Sequence, residues 1–403
     1  MRRGAGNLRT QEERRGGVPA RVGGLCVGLA LLVPLFAFAG EIPLDDQELR
    51  MSGQIMRLLP GVVGILADVS AEVQVRCGPA ESHAVNVGPN RETATGFIIH
   101  PDGWIATNGH VVKPFYKDDE QQIRDFLRTA ATSACGPALR KFPKKLRQAR
   151  LDAILQDPQN RAGVRLTKKL RVFLPTEDPG PGFPAAVKAY SPPIDPARLP
   201  KDGSLPNPPM LDAALLKIEA SNLPTVRLAP SIGHMVMGQQ IVIVGYPGVV
   251  LWHDFLSKKS RAEASVTFGR VSAFRLDVNE RTVLQTDAPM SWGDSGGPAF
   301  TSNGEIIGVA TFISTSLEGD EAIQGFNFLI PIDTIQAMAK DLGVAPNTDS
   351  AFNGAWNQAI DLYMARRLSD AVPYAEAADK IIPGLVDVRR FLARVREFMR
   401  EKP

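Results

Sequence analysis

From about residue 61 the chain reads as a succession of short apolar runs, each ended by turn residues, and this texture restricts the fold more than any other feature. Residues 71–75, 95–99, 103–107, 213–218, 240–244, 281–285 and 305–312 are rich in Val, Ile and Phe, with Gly, Pro and Asn between them. β-Branched and aromatic side chains suit a pleated, half-buried surface, and Gly, Pro and Asn supply the turns. Asp102-Gly103 falls between two of the runs and predicts a tight hairpin. Many short strands without intervening helices predict an antiparallel barrel or sandwich and exclude a parallel sheet. A length of 403 residues suits two or three such domains, and a hydrophobic content of 44% can supply their cores.

Two stretches depart from this texture. Residues 113–172 carry helical spacing at 117–128 and 138–156, with few β-branched residues. They hold 15 basic and 6 acidic side chains. Residues 173–209 are proline-rich, and the whole of 113–209 reads as one long insertion, helices first and then a loop. Its charge fits either a solvated helical face or a patch for a protein partner or a membrane surface. After a linker near 345–350, Trp356, Ala359, Tyr363, Ala371, Ala375, Ala378 and Pro383 space like a helix pair resembling one tetratricopeptide repeat. Such repeats stand alone only in about three copies, so a single one is expected to pack on its neighbour.

The start of the chain has a different character. Residues 1–39 combine six arginines and two glutamates with an apolar run from Val22 that ends in Ala37-Phe38-Ala39. That order predicts a cleavable export signal and a periplasmic or secreted protein, the alternative being a retained membrane anchor. Without the leader the charge is nearly balanced, so no nucleic-acid partner is expected. Cys77 and Cys135 are the two cysteines beyond the leader and could form one disulfide. No clustered Cys/His set or phosphate loop occurs, so neither metal nor cofactor is expected.

Three segments carry chemistry, in the order His, Asp, Ser. The first runs Thr107-Asn108-Gly109-His110-Val111-Val112, the second Asp212-Ala213-Ala214, and the third Thr286-Asp287-Ala288 on to Gly293-Asp294-Ser295-Gly296-Gly297-Pro298. A serine hydroxyl is a weak nucleophile until an imidazole takes its proton, and the imidazole must be oriented by an acceptor. Glycines around the serine let the backbone turn sharply and direct successive N–H groups at one spot, where an oxyanion can be received. Gly293 and Ser295 are the natural donors. His83, His100, His234 and His253 have no such surroundings and read as surface or structural histidines.

These segments resemble the trypsin-like serine peptidases, and within them the high-temperature-requirement (HtrA) group. The resemblance covers about residues 60–342 apart from the insertion. It implies a mainly β protein of two packed antiparallel six-stranded barrels of chymotrypsin-like type, one within 40–220 and the other within 221–343, followed by a helical tail at 350–403. It further implies a serine endopeptidase with His110, Asp212 and Ser295 as triad and Gly293 and Ser295 as oxyanion donors. Pro289, Met290, Phe326 and Phe328 would line an apolar specificity pocket, with Asp287 as the one nearby acid that could change its preference. The helical tail stands where the HtrA group usually carries a PDZ domain. Asp294 matches the digestive enzymes, in which it pairs with a new N-terminus, yet no activation site precedes the first barrel. The competing reading is a trypsin-like adaptor that binds through its basic insertion and tail.

Overall fold

The structure is a computed structural model that describes residues 46–78, 81–251, 256–257, 263–311, 314–315, 322–323 and 325–401. The leader at 1–39 and His253 lie outside the described residues.

Six strands close into the first barrel: β1 (Val62–Gly78), β2 (Glu81–His100), β3 (Trp104–Thr107), β4 (Val164–Phe173), β5 (Phe183–Ser191) and β6 (Ala213–Ile218), in the order β1-β2-β3-β6-β5-β4. All of its pairings are antiparallel. Closure removes the exposed strand edges of an open sheet. The predicted hairpin at Asp102-Gly103 joins β2 to β3. In β1 the alternation is visible residue by residue: Ala67, Val69, Ala71, Val73 and Val75 are buried, while Glu72, Gln74 and Arg76 between them face solvent.

The second barrel follows from β7 (Arg227–Leu228), β8 (Gln240–Gly245), β9 (Ser265–Leu276), β10 (Thr282–Thr286), β11 (Pro298–Phe300), β12 (Glu305–Ala310), a small hairpin of β13 (Ser314–Thr315) and β14 (Ala322–Ile323), and β15 (Asn327–Pro331). The sheet β11-β8-β9-β10-β15-β12 closes through a β11–β12 pairing, so six antiparallel strands form the ring. β7 adds to β12 in parallel at its outer edge. The apolar core is continuous between the barrels, because Phe97, Ile99, Ala106 and Leu215 of the first pack in one cluster with Ile243, Leu284, Phe300 and Val309 of the second.

The region read as a helical insertion needs a correction. Five helices, α2 (Gly109–Tyr116), α3 (Asp119–Ala134), α4 (Gly136–Leu139), α5 (Lys144–Gln156) and α6 (Pro158–Ala162), occupy its first half. The remainder is not a loop, because it contains β4 and β5, which complete the barrel. Both were hidden by composition. The outward positions of β4 are Arg165, Thr167, Lys169 and Arg171, which give it a charged look, and β5 is alanine-rich between prolines. β4 pairs with β1 across the whole helical segment, and β5 is held between β4 and β6, so the strands are defined by tertiary hydrogen bonds more than by local preference.

The helices cover the part of the β1–β2 hairpin that extends past the barrel. Phe126, Leu127, Ala130 and Ala131 of α3, three to four residues apart, meet Val69, Ala71, Val73 and Val75. A disulfide joins Cys77 at the hairpin end to Cys135 after α3.

The tail forms helices Ala351–Met364, Leu368–Ile381 and Val386–Glu401, the first two being the predicted pair. They pack on the first barrel and on a leading helix, α1 (Asp46–Leu58). Trp356 is 1% exposed, donates its Nε1–H to Met56 O at 2.8 Å, and meets Phe391 edge-on at 5.3 Å. Asn353 binds Thr225 in both directions, accepting from its N–H at 3.1 Å and donating to its carbonyl at 3.1 Å.

Candidate active site

β3 ends at Thr107, and the chain turns at once into α2, whose second residue is His110. β6 begins just after Asp212, so the two residues lie on the paired ends of neighbouring strands, with Thr107 opposite Ala214. The aspartate is fully buried, and its carboxylate is surrounded by donors. His110 Nδ1 lies 2.9 Å from Oδ2 and 3.1 Å from Oδ1, and the His110 backbone N–H donates to Oδ1 at 2.7 Å. Thr311, at the end of β12, donates its hydroxyl to Oδ2 at 2.5 Å. The first barrel therefore contributes the pair, and the second supplies a brace for it.

Burial disfavours the charged imidazole, but the hydrogen bond and charge of Asp212 outweigh it, and His110 sits above its ordinary pKa of 6.5. The ring is thus held as a ready proton acceptor whose protonated form is stabilised by a fixed carboxylate.

Ser295 reaches the same place by backbone contacts. Thr95 N–H donates to Ser295 O at 2.9 Å, and Gly296 N–H to Ala310 O at 2.8 Å, one residue before the Thr311 that binds Asp212. Gly296 has φ of +86°, and a Cβ there would collide with Thr95 O and Thr107 Oγ1, so the serine turn is pressed against the strand end that leads into His110. Thr95 is a second tie between the barrels: its hydroxyl donates to Gly293 O at 2.8 Å and accepts from Tyr246 N–H at 2.9 Å.

Around the serine, the N–H groups of Asp294, Gly296 and Gly297 donate to Ser291 O, Ala310 O and Asp294 O. Those of Gly293 and Ser295 meet no acceptor among the described residues. Trp292 O accepts from Gly248 N–H at 2.6 Å, which fixes the peptide unit that carries the Gly293 N–H. Beside them Asp294 is buried, accepting at Oδ2 from the Ser291 N–H at 2.8 Å and hydroxyl at 3.2 Å. Burial raises its pKa to about 6 against those two bonds.

The four residues expected to line a pocket are placed differently from one another. Met290 is buried in the second barrel core, Pro289 is exposed, Phe328 is half-buried, and Phe326 is 56% exposed. Asp287 accepts the Arg270 N–H at 2.6 Å, which engages that acid with β9. Sequence reading missed Thr95, Thr107, Asn108, Ser191 and Thr311. Thr107 and Asn108 lie in the segment that marks His110, but nothing local assigns any of the five its role, because each acts through a partner at least 12 positions away. Among the described residues no cluster of His, Cys, Asp and Glu could hold a metal ion, and no helix is long and apolar enough to cross a membrane.

Two closed antiparallel barrels, with the His110–Asp212 pair on the first and the Ser295 turn of the second packed against the same strand end, form the chymotrypsin-like architecture. A family model described as the trypsin-like peptidase domain matches residues 94–309. A "Probable periplasmic serine endoprotease DegP-like" of Pseudomonas putida (strain W619) is 38% identical over 182 residues, 44% of this chain and 34% of the relative. A protein of the same name from Halomonas elongata is 31% identical over 163 residues, 40% of this chain and 30% of the relative. The crystal structure of Deg5 aligns at 21% identity over 76% of this chain and 99% of that one, with a TM-score of 0.41. This chain belongs to the trypsin-like peptidase family. The matched stretch spans about a third of the length of these curated relatives.

Proposed function

We propose that this chain is a serine endopeptidase that hydrolyses peptide bonds of protein substrates. His110 Nε2 takes the proton of Ser295 Oγ as the hydroxyl attacks the carbonyl carbon. The imidazolium is stabilised by Asp212 through Nδ1–H, and the oxyanion accepts from the N–H groups of Gly293 and Ser295. His110 then gives the proton to the leaving amine, and a water repeats the sequence to free the acid. The observation that carries this reading is the run Thr311–Asp212–His110, hydrogen-bonded end to end, beside a serine turn with two unengaged N–H groups. Casein hydrolysis and fluorophosphonate labelling by the wild-type chain, both absent in Ser295→Ala, test it. A protein that does neither would be an adaptor.

The substrate side chain before the cut bond is expected to be a modest apolar one. Pro289 stands where the arginine- and lysine-cutting enzymes of the resemblance carry a carboxylate, and the Asp287 carboxylate is turned to the Arg270 backbone N–H on β9. A cation would therefore meet no carboxylate at position 289, whereas burial of a Val or Leu side chain contributes roughly 1.5–3 kcal/mol. Phe328 and Phe326 supply apolar surface nearby in sequence. A peptide-library digest dominated by Lys or Arg before the cut would reverse this assignment.

The leader and the periplasmic naming of the relatives together support export. One element of the adaptor reading has structural support. Arg140, Lys141, Lys144, Lys145, Arg147 and Arg150 form no ion pair with the described residues, whereas Lys117, Arg161, Arg165 and Lys168 of the same region do. This ridge is proposed as a surface for an anionic membrane. Sedimentation with phosphatidylglycerol vesicles that survives neutralisation of Lys144 and Lys145 would remove the ridge from that role.

A further inference from the structure

Asp212 is the one residue of the proposed triad with a left-handed backbone, at φ of +49°. Aspartate enters that region more readily than most residues with a Cβ, but a single fixed left-handed backbone at a buried position needs neighbours that compel it. Two side chains that have no part in the proton transfer do the compelling. Asn108 donates Nδ2–H to Asp212 O at 3.1 Å. Ser191 accepts the Leu211 N–H at 2.9 Å and donates its hydroxyl to Pro209 O at 3.0 Å, tying down the segment just before the aspartate. The Asp212 N–H itself goes to Pro192 O at 3.0 Å.

Asn108 is not explained by ordinary structural duties. It stands at the N-cap of α2, where an asparagine normally accepts from the first turn, yet its side chain makes no capping bond. It is fully buried, and its Oδ1 has no partner among the described residues. A buried acceptor left unmet is costly, so the amide is retained for what its N–H group does. Gly109 completes the fit, because a Cβ there would collide with Ser191 O and hold the two strand ends apart.

We propose that Asn108, with Ser191 behind it, is a positioning residue that locks the left-handed backbone of Asp212 and so aims its carboxylate at His110. The proposal rests on the peptidase reading above. Asn108→Ala is expected to lower kcat about 10- to 100-fold with KM little changed, the scale of a misaligned reacting group. The acid limb of its pH profile should move down toward the ordinary imidazole value. In an Asp212→Asn background the same change should cost less than about 2-fold, because the two substitutions disable one unit. Ser191→Ala should shift the limb in the same direction by less, and it stands in where Asn108→Ala does not fold. An equal loss in both backgrounds, or an unmoved acid limb in either variant, overturns the proposal. The downfield proton NMR signal of His110 Nδ1–H reads the same geometry without turnover. It should move upfield in both variants, and it separates failure of this inference from failure of the peptidase reading.

Discussion

The two barrels have the same strand count and the same closure, yet they are built to different ends. The first is elaborated: its β1–β2 hairpin outgrows the ring, five helices enter between β3 and β4, and the tail seals one side with Trp356 and Phe352. At the junction it offers a carboxylate with both oxygens engaged, bound by His110 twice and by Thr311. The second barrel is leaner and offers the opposite, a turn whose Gly293 and Ser295 N–H groups are unengaged and whose buried Asp294 is bound only by Ser291 among the described residues. In the proposed reaction one side would fix an orientation that must not change. The other would keep donors in reserve for the charge that develops on the carbonyl oxygen as the serine attacks, where preorganised dipoles act most strongly.

The sharpest way to break this division is to remove the hydroxyl. Ser295→Ala should reduce turnover by about a millionfold, the scale seen when a triad acts as a unit, and residual cleavage above one part in a thousand would move the chemistry elsewhere. On the orienting side, Asp212→Asn should cost about ten thousandfold, the scale expected when the imidazole is held in the wrong tautomer. Because His110 is raised above 6.5, wild-type kcat/KM should rise with pH through a midpoint above that value, as the base must be neutral. In Asp212→Asn the midpoint should drop, since burial is then opposed only by the more distant charge of Glu92.

The disulfide tests whether the elaborations of the first barrel are independent of its junction. It closes a loop of 58 residues, so the double substitution Cys77→Ser with Cys135→Ser should cost about 4 kcal/mol in a denaturant melt on the chain-entropy model. Hydrolysis of a short peptide should be unchanged, and parallel loss of both would tie the insertion to catalysis. The smallest effect belongs to Asp294. An acid whose folded pKa stands at about 6 against an ordinary 3.8 is favoured when protonated, so its contribution is fully present below 3.8 and is lost as pH rises through about 6. Asp294→Asn should therefore lose less stability than wild type between pH 4.5 and 8. The difference is at most about 3 kcal/mol from the conversion of pKa to free energy. Asp387, raised by burial to about 6 in the tail, has the same sign and remains in both proteins, so the comparison cancels it. Equal pH dependence in the two proteins would mean that the second barrel does not hold a strained carboxylate.

Much of the architecture was written locally. Six of the seven predicted runs coincide with strand segments to within a residue or lie inside longer strands, because alternation and turn residues are properties of neighbours. The run at 305–312 extends past the end of β12 at Ala310. Thr107 to Val112 and Gly293 to Pro298 could be read for the same reason, since a strained turn needs its glycines and a base needs its histidine within a few positions. The tail helices showed in their spacing of Trp356, Ala359 and Tyr363.

The rest required the closed barrels. β4 and β5 have charged or alanine-rich sequences that favour no strand until β1 and β6 present unpaired backbone to them. Thr311 and Asn108 are ordinary polar residues until closure brings one 99 positions and the other 104 positions to the same aspartate. The left-handed backbone of Asp212 is likewise unforeseeable from Leu211-Asp212-Ala213, which carries no glycine and no turn signal of its own. Local sequence determined which residues could react, because reactivity and turn strain are encoded over a few bonds. The tertiary structure alone decided how they are held, because holding requires partners whose separation along the chain carries no signal.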